Sequence, residues 1–397
     1  MDPDSPLPAL RLKPREDRRL RAGHLWVYSN EIDVAATPLK TVEPGAVARL
    51  LSHQGKFLGY AGVSPHSLIA ARILSREEDR PPGKSLFVHR LNVALGLRER
   101  LYPGGCYRLL FGESDLLPGL VADRYGDVVV LQAATATAEA MKGEVVDAIR
   151  EVLSPRGILW RNDGGAREAE GLSRYVEVAH GDVPETAPLS EGGVDYEAPV
   201  RDGQKTGWFY DQRDNRRRFE RYSPGSVLDV FSYTGAWGLS AAVRGAEAAF
   251  VDSSPTALAA VEGNAARLGV AAETHQGSAF DVLKALRAEG RRFDAVVVDP
   301  PAFIKRRKDH RKGLTAYQRI NQLALTLLER EGLLVSCSCS HHLDVGELMT
   351  AVERAARHVD RFVQVLEIGG QAADHPVHPA IPETRYLKAL FCRVLPA

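Results

Sequence analysis

Two apolar stretches that end in reactive polar groups decide the fold: Val296-Val297-Val298-Asp299-Pro300-Pro301-Ala302-Phe303 and Leu333-Leu334-Val335-Ser336-Cys337-Ser338-Cys339-Ser340. Because proline lacks an N–H and keeps the residue before it extended, Asp299 cannot continue into a helix and is held at a strand end. Ligands bind at the carboxyl ends of strands in open parallel sheets. We therefore expect a carboxylate and a thiol at one ligand-binding edge; the alternative is a buried strand whose cysteines only fill core space.

A strand, turn, helix, strand pattern lies upstream of these stretches. The apolar run 227–230 enters a turn that contains Gly235 and Gly238, and the next apolar run ends at Asp252, 23 positions after Asp229. This spacing suits a carboxylate that binds the ribose of a nucleotide-like cofactor in a doubly wound fold. The turn lacks the G-x-G-x-x-G pattern that brings a pyrophosphate to a helix N-terminus, so a cofactor without phosphates is favoured.

Six segments in order, over roughly half the chain, carry a family resemblance: Gln204–Arg213, Asp229–Gly238, Asp252, Gly277–Asp281, Asp299–Phe303 and Ser338–Ser340. Region 203–397 resembles a class I methyltransferase of the bacterial family that uses S-adenosylmethionine to methylate carbon 5 of a cytosine in large-subunit (23S) ribosomal RNA. The family usually has an apolar residue where this chain has Cys337. Cys339 therefore matches the reactive thiol of the family, and Cys337 is an additional cysteine.

The resemblance implies a cofactor site and two catalytic residues, Cys339 and Asp299. The residues expected to bind S-adenosylmethionine are Lys205, Thr206, Gly207, Phe209, Asp211, Arg213, Asp229, Phe231, Tyr233, Thr234, Gly235, Asp252, Ser253, Ser278, Ala279, Phe280, Asp281 and Asp299. Within this group, Asp252 would take the ribose hydroxyls, Asp281 the adenine amine and Asp229 the ammonium of the methionine portion. The segment 205–209 would close over the cofactor. Asp229 could instead cap a turn, and Phe280 could be a core residue.

The thiol and the carboxylate make chemical sense together. Carbon 5 of cytosine is a poor nucleophile, and a thiolate that adds to carbon 6 makes it enamine-like. Cysteine suits this role because its thiolate is strongly nucleophilic and also leaves well. Asp299 could hydrogen-bond N3 or the exocyclic amine of the base and stabilise the adduct. Two alternatives stay open: methylation of a ring or exocyclic nitrogen, which needs no cysteine, and a non-catalytic RNA-binding assembly factor with a degenerate cofactor pocket.

Length and composition limit the class of protein. A chain of 397 residues suggests two or three domains, each able to fold without disulfides. Its four cysteines have no framework spacing, which suits a reducing cytoplasm, and they are not accompanied by a cluster with metal-ligand spacing. No apolar run approaches the ~20 residues that span a bilayer. The sequence predicts a soluble cytoplasmic protein without a metal or a membrane segment.

The charge distribution indicates a nucleic-acid partner. The 51 basic and 51 acidic residues cancel, but basic residues crowd at Lys305, Arg306, Arg307 and Lys308, directly after the Asp299–Phe303 strand end. Such runs are most often solvated faces. At the entrance to a site, however, these four cations would attract a phosphate backbone, so we expect them to bind ribosomal RNA, either free or in an assembling large subunit.

The N-terminal third supports the same partner. Residues 1–75 alternate short apolar runs with turn residues, which predicts a small β-barrel, and Gly23–Ile32 resembles the start of the PUA RNA-binding domain. Residues 76–189 are predicted to form a central α+β domain, with one helix over 136–153, and 190–397 the Rossmann-like α/β methyltransferase domain. Exposed edges of the barrel could mediate a homodimer.

Overall fold

The chain crosses between two packing units several times in the computed structural model, which describes residues 7–397. The first unit contains the described residues up to Ala187, together with Val200–Gly207 and Asp374–Thr384. The second unit contains Pro188–Pro199, Trp208–Ala373 and Arg385–Ala397. The division into three consecutive domains at 75 and 189 stays a prediction. No helix within residues 7–397 is long and apolar enough to cross a membrane.

The first unit contains two five-stranded sheets and four helices. Its strands are β1 Ala9–Arg11, β2 Trp26–Tyr28, β3 Val47–Leu51, β4 Phe57–Val63, β5 Ile69–Ser75, β6 Cys106–Phe111, β7 Leu120–Tyr125, β8 Val128–Ala133, β9 Gly157–Asn162 and β10 Tyr175–Gly181. Its helices are α1 Arg18–Arg21, α2 Lys84–Leu101, α3 Ala136–Ala140 and α4 Lys142–Leu153. The single helix predicted over 136–153 is thus wrong, because the chain leaves helical geometry at Met141.

The N-terminal sheet closes on itself. Its strand order is β1-β3-β4-β5-β2, and backbone bonds join the two edges: Lys13 N–H donates to the Glu31 carbonyl at 2.9 Å, and Asp33 N–H donates to the Arg11 carbonyl at 2.8 Å. Closure removes the unpaired edges of a sheet. Its interior is apolar and includes the fully buried Ile381 from the C-terminal part of the chain. The predicted N-terminal barrel is confirmed.

The second sheet of this unit is the α+β part of the chain. Its order is β10-β9-β8-β7-β6, antiparallel except for the parallel pair β8 and β9. Helices α2 and α4 cover it with a core that includes Leu91, Ile149 and Trp160. A buried Arg108 forms a bidentate pair with Asp123, at 2.6 and 3.0 Å, inside this unit.

The second unit is built on a seven-stranded sheet. The hairpin strands β11 Thr186–Glu191 and β12 Val194–Pro199 precede it, and its own strands are β13 Ser226–Val230, β14 Glu247–Asp252, β15 Glu273–Gln276, β16 Phe293–Val298, β17 Leu328–Ser338, β18 Arg361–Gly369 and β19 Lys388–Pro396. The helices are α5 Arg213–Glu220, α6 Ala236–Ala242, α7 Pro255–Leu268, α8 Ala279–Ala288, α9 His310–Leu325 and α10 Val345–Arg357.

The seven strands follow the order β15-β14-β13-β16-β17-β19-β18, parallel from β15 to β17 and antiparallel at β19. Successive side chains of a strand point to opposite faces of the sheet, and the apolar side chains on each face are covered by helices. In β16, Val296 and Val298 belong to one core cluster, whereas Ala295 and Val297 belong to the other. The predicted doubly wound α/β fold is confirmed.

Candidate functional site

The carboxyl ends of four neighbouring strands bring the predicted polar residues to one edge of the sheet. In the order β14-β13-β16-β17, these strands end at Asp252, Val230, Val298 and Ser338. Asp299 N–H donates to the Val230 carbonyl at 3.2 Å, which ties the end of β16 to that of β13. Ligands bind at such an edge, beside the point where the strand order reverses.

The turn after β13 holds a strained backbone. Phe231 and Tyr233 have φ of 66° and 50°, in the left-handed region that costs an L-residue of order 1–3 kcal/mol. The surroundings fix this conformation: the N–H of Phe231 donates to the Val251 carbonyl at 2.8 Å, and Tyr233 N–H donates to Asp252 Oδ2 at 3.0 Å. Gly235, with φ of 80°, completes the turn, and a Cβ there would meet three side chains at 3.1 Å. Retained strain of this kind is typical of ligand sites.

Asp229 is a fully buried carboxylate with one unsatisfied oxygen. Its Oδ2 accepts the Gly238 N–H at 3.0 Å, whereas its Oδ1 is buried and has no hydrogen-bond partner among residues 7–397. The pKa of Asp229 is raised to about 8, chiefly by burial, with smaller contributions from the charges of Asp299 and Asp252. A buried carboxyl oxygen without a partner costs free energy unless a donor reaches it. The geometry therefore suits a cationic or N–H donor ligand.

Asp252 closes the next part of the edge. Its two carboxylate oxygens accept the N–H groups of Tyr233, at 3.0 Å, and of Ser254, at 2.9 Å. Its main-chain carbonyl accepts the Gly277 N–H at 3.0 Å, which joins the ends of β14 and β15. The carboxylate is half-buried, and the neighbouring Ser253 is exposed. Each oxygen keeps a second lone pair with which it could accept a ligand hydroxyl.

The segment 277–281 lies at the N-terminus of α8. Ser278 is exposed and Ala279 is buried, and the half-buried Phe280 has its ring centroid 6.3 Å from that of Phe303. The Asp281 carboxylate is 74% exposed and pairs with Lys284 at 2.9 Å, and this hydrogen bond lowers the pKa of Asp281. The assignment of Asp281 to the adenine amine stays a prediction. Four acids are predicted at this edge, Asp229, Asp252, Asp281 and Asp299, and Asp281 is the most exposed of them.

Asp299 is held by two side-chain donors that the sequence did not reveal. Gln212 Nε2 donates to Asp299 Oδ2 at 3.0 Å, and Trp237 Nε1 donates to the same oxygen at 3.4 Å. Burial raises the pKa of Asp299 to about 6, and the charge of Asp211 contributes to the increase. A carboxyl group with this pKa is about one-tenth protonated at pH 7, so it can donate as well as accept a hydrogen bond.

The two cysteines of β17 differ in access. Cys337 is fully buried among apolar side chains that include Trp237 and Phe391, and burial raises its pKa well above the ordinary value. Cys339 lies one residue beyond the strand and is half-buried, and its Sγ donates to the Pro300 carbonyl at 3.9 Å. The thiol of Cys339 therefore lies against the residue that follows Asp299, at the edge of the sheet.

The serines on either side of Cys339 hold its turn in place. The hydroxyls of Ser338 and Ser340 both bond the phenol of the buried Tyr317, at 2.9 and 2.8 Å, and Ser340 Oγ also accepts the Ile304 N–H at 3.2 Å. The Ser-Cys-Ser motif is thus explained by one tyrosine of α9. Tyr317 lies 22 positions before Cys339, and nothing in the local sequence pointed to this contact.

The predicted segment 205–213 divides between the two units. Lys205, Thr206 and Gly207 belong to the first unit, where the Thr206 hydroxyl donates to the buried Asp123. Phe209, Asp211 and Arg213 belong to the second unit.

Within the second unit, the three residues of this segment have separate partners. The Phe209 ring lies edge-on to Tyr233 of the strained turn, with 5.3 Å between the centroids. Asp211 Oδ2 accepts the Tyr386 hydroxyl at 2.5 Å, and Arg213 pairs with Glu191 at 3.4 Å. Of the three, Phe209 therefore contacts the predicted cofactor turn directly.

The predicted RNA-binding cations begin two residues after Phe303 of the same edge. Lys305, Arg306, Arg307 and Lys308 are exposed, and a short 3-10 helix over Arg307–Asp309 leads into α9. Arg306 makes an exposed pair with Asp309 at 3.1 Å. The cluster therefore presents its charges to solvent beside the strand ends.

Comparison with known proteins places this chain in a family. Residues 10–76 match the model of a PUA-like domain, and residues 216–345 match the model described as conserved hypothetical protein 95. The chain is 37% identical over 388 residues to the ribosomal RNA large subunit methyltransferase I of Aliivibrio fischeri, which covers 96% of this chain and 97% of the relative. It is 36% identical over 400 residues to the protein of that name from Vibrio cholerae, covering 98% and 100%.

A solved structure has the same fold. It is a candidate S-adenosylmethionine-dependent methyltransferase from Streptococcus mutans, with a TM-score of 0.81 and 21% identity over 98% of this chain and 100% of that one. At this identity the likeness concerns the fold alone. The identity to the relatives over nearly the whole chain decides the family: the protein belongs to the family of ribosomal RNA large subunit methyltransferase I.

Proposed function

We propose that this protein methylates carbon 5 of a cytosine in large-subunit (23S) ribosomal RNA, through a covalent adduct between Cys339 and carbon 6 of the base. The relatives with 36–37% identity are named as methyltransferases of large-subunit ribosomal RNA. S-adenosylmethionine is the cofactor. The choice of carbon 5 and the role of the thiol rest on the residues at the carboxyl edge of the sheet.

The charges and hydrogen-bonding groups of this edge suit S-adenosylmethionine. The unsatisfied Oδ1 of Asp229 would take the ammonium of the methionine portion, and the half-buried Asp252 would take the ribose hydroxyls. The turn 231–235 would offer main-chain atoms to the methionine portion, and the Phe209 ring lies edge-on to Tyr233 of this turn. Ser253, Ser278 and the segment 279–281 follow at the adenine end. When bound, S-adenosylmethionine supplies an electrophilic methyl group.

One observation carries the choice of carbon 5 over nitrogen: the Sγ of Cys339 donates to the Pro300 carbonyl at 3.9 Å. An enzyme that methylates an amine needs only the acidic strand end, without a thiol. Here the thiol that bonds the Pro300 carbonyl is half-buried, whereas the second thiol, Cys337, is fully buried. A reactive cysteine must be accessible and able to ionise, which favours Cys339 over Cys337.

The side chains then divide the chemistry. The thiolate of Cys339 adds to carbon 6, which breaks the aromaticity and places electron density on carbon 5 and N3. Asp299, protonated or sharing a proton with the base, donates to N3 and stabilises this charge. Gln212 and Trp237 hold Asp299 Oδ2 from the protein side. After methylation, loss of the carbon 5 proton and departure of the thiolate restore the ring.

RNA carrying 5-fluorocytosine at the target position tests the adduct, because fluorine cannot leave as a cation and the covalent complex persists. We expect the wild type to form a complex that resists denaturation, Cys339→Ala to form none, and Cys337→Ala to keep it. Cofactor binding measured by calorimetry should survive in Cys339→Ala and shows that this variant folds. A complex that persists in Cys339→Ala and disappears in Cys337→Ala reverses the assignment. Methylation without any adduct would instead support a nitrogen methyltransferase.

A further inference from the structure

A lysine from the far end of the chain lies against the turn that carries Cys339. Lys388 is the first residue of β19 and pairs with Ser338, the last residue of β17. Its Nζ donates to the Ser340 carbonyl at 2.6 Å and to the Tyr386 carbonyl at 2.8 Å. Two of the three N–H bonds of the ammonium are therefore fixed by main-chain acceptors, one of which belongs to the residue that follows Cys339.

The surroundings of Lys388 allow its amine to change protonation state near neutral pH. Burial lowers the pKa of Lys388 to about 8, and the negative charge of Cys339 is the largest opposing influence. Asp344, the N-cap of α10, and Glu347 within that helix also favour the charged form, and Arg385 disfavours it. Both carboxylates have other partners: Asp344 Oδ1 accepts the Glu347 N–H at 2.8 Å, and the Glu347 carboxylate pairs with His310 at 2.8 Å.

Two further groups near Cys339, Tyr317 and Cys337, are neutral at pH 7. Tyr317 lies beneath the turn, and burial raises its pKa. Cys337 is buried, and its pKa is also raised. Among these neighbours, Lys388 is thus the one that could carry a positive charge next to the thiol.

We propose that Lys388 is the positioning residue that generates and holds the Cys339 thiolate. The proton leaves the Sγ of Cys339, binds to the lone pair of the neutral Lys388 amine, and produces a thiolate and ammonium pair. No further reactant is needed for this transfer. The inference deepens the proposed function, on which it rests, by naming the group that activates its nucleophile.

The effect on reactivity should be large at neutral pH. An ordinary thiol with a pKa near 8.5 is only about 3% thiolate at pH 7, whereas a cation within a few ångströms shifts ionisation by about one to three pH units. Loss of the cation should therefore reduce the thiolate fraction of Cys339 at pH 7 about tenfold or more.

Alkylation by iodoacetamide measures this directly on the full-length protein without RNA. The rate at Cys339 is followed from pH 5.5 to 10 by mass spectrometry of its peptide, and Cys106, a half-buried thiol of the first unit, is an internal reference. In Lys388→Met, the midpoint of the Cys339 profile should rise by about one pH unit or more. Lys388→Arg, which keeps the charge, should keep the midpoint near the wild-type value. Lys142→Met, at a half-buried lysine of the first unit, should change neither profile.

The midpoint and the plateau of the profile separate charge from structure. If Lys388→Met merely loosens the turn, the alkaline plateau will rise because Cys339 is more exposed, while the midpoint stays in place. An unchanged midpoint in Lys388→Met, or an equal shift in Lys388→Arg, would overturn the inference. If the predicted shift occurs but the RNA adduct does not form, the pairing of Lys388 with Cys339 stands and the proposed function fails. If the adduct forms and the midpoint does not move, only the role of Lys388 fails.

Discussion

Replacing Asp229 by asparagine should stabilise the protein in the absence of cofactor and weaken cofactor binding at the same time. The carboxyl group is fully buried, its Oδ1 has no partner among the described residues, and burial raises its pKa from 3.8 to about 8. Between these two values the folded protein keeps the proton and the unfolded chain releases it. Stability should therefore fall as the pH rises through this window, and it should be highest at the acidic end.

The magnitude follows from the width of that window. Each pH unit between the unfolded and folded pKa costs up to about 1.4 kcal/mol, so the three units from about 4 to 7 cost up to roughly 4 kcal/mol. Relaxation of the surroundings reduces this loss of stability, and we expect it to be at least about 2 kcal/mol at pH 7. Asparagine keeps an oxygen for the Gly238 N–H and has no proton to lose, so Asp229→Asn should escape this penalty.

Urea unfolding at pH 5, 6, 7 and 8, followed by tryptophan fluorescence, measures the difference between wild type and variant. The advantage of Asp229→Asn should grow with pH, from near 1 kcal/mol at pH 5 to about 2–4 kcal/mol at pH 7. Asp195→Asn, at an exposed position of the same unit, is the matched control and should show no such trend. Calorimetry should show S-adenosylmethionine affinity about tenfold to a hundredfold lower in Asp229→Asn. A stability difference that stays constant from pH 5 to 8 would refute the reasoning.

Three further predictions concern the cofactor, the base and the RNA. Asp252→Ala should weaken S-adenosylmethionine binding about tenfold to a hundredfold, since a charged hydrogen bond is worth about 1.5–3 kcal/mol, and unchanged calorimetric affinity would remove Asp252 from the site. Burial raises the pKa of Asp299 to about 6, so the wild type loses this hydrogen-bond donor as the pH rises from 6 to 8, whereas Asp299→Asn donates at every pH. The rate of adduct formation of Asp299→Asn relative to wild type should therefore rise from pH 6 to pH 8. A constant ratio speaks against a protonated Asp299. Neutralising the four cations at 305–308 should flatten the salt dependence of RNA binding by up to about 0.9 log units per lost duplex contact, and identical slopes would mean a solvated face.

The parts of the site that follow strands could be predicted from the sequence. Apolar runs ending in Asp252 and Asp299 define strand ends locally, and parallel strands bring their carboxyl ends together. The spacing of two between Cys337 and Cys339 could not separate the thiols, because alternation places both on one face. The structure distinguishes them because β17 ends at Ser338, so that only Cys337 keeps a core position.

The supporting contacts could not be predicted because they join residues far apart in the chain. Gln212 reaches Asp299 across 87 positions, and Lys388 reaches Ser340 across 48. Neither residue has a local pattern that distinguishes it from a solvated polar side chain. Such contacts depend on strand order and register, which no single segment encodes.

The return of residues 374–384 to the first unit has a consequence for how the protein is made. Ile381 is fully buried in the N-terminal barrel, and Asp374 accepts the Arg108 N–H at 3.0 Å while its carbonyl accepts a bond from Arg98 at 2.8 Å. A nascent chain usually folds its N-terminal domain first, as it leaves the ribosome. Here that unit cannot complete its interior until residues 374–384 have been translated. The interior of the barrel therefore depends on a segment from far along the chain, and a fragment that stops at residue 189 would lack Ile381 from this core.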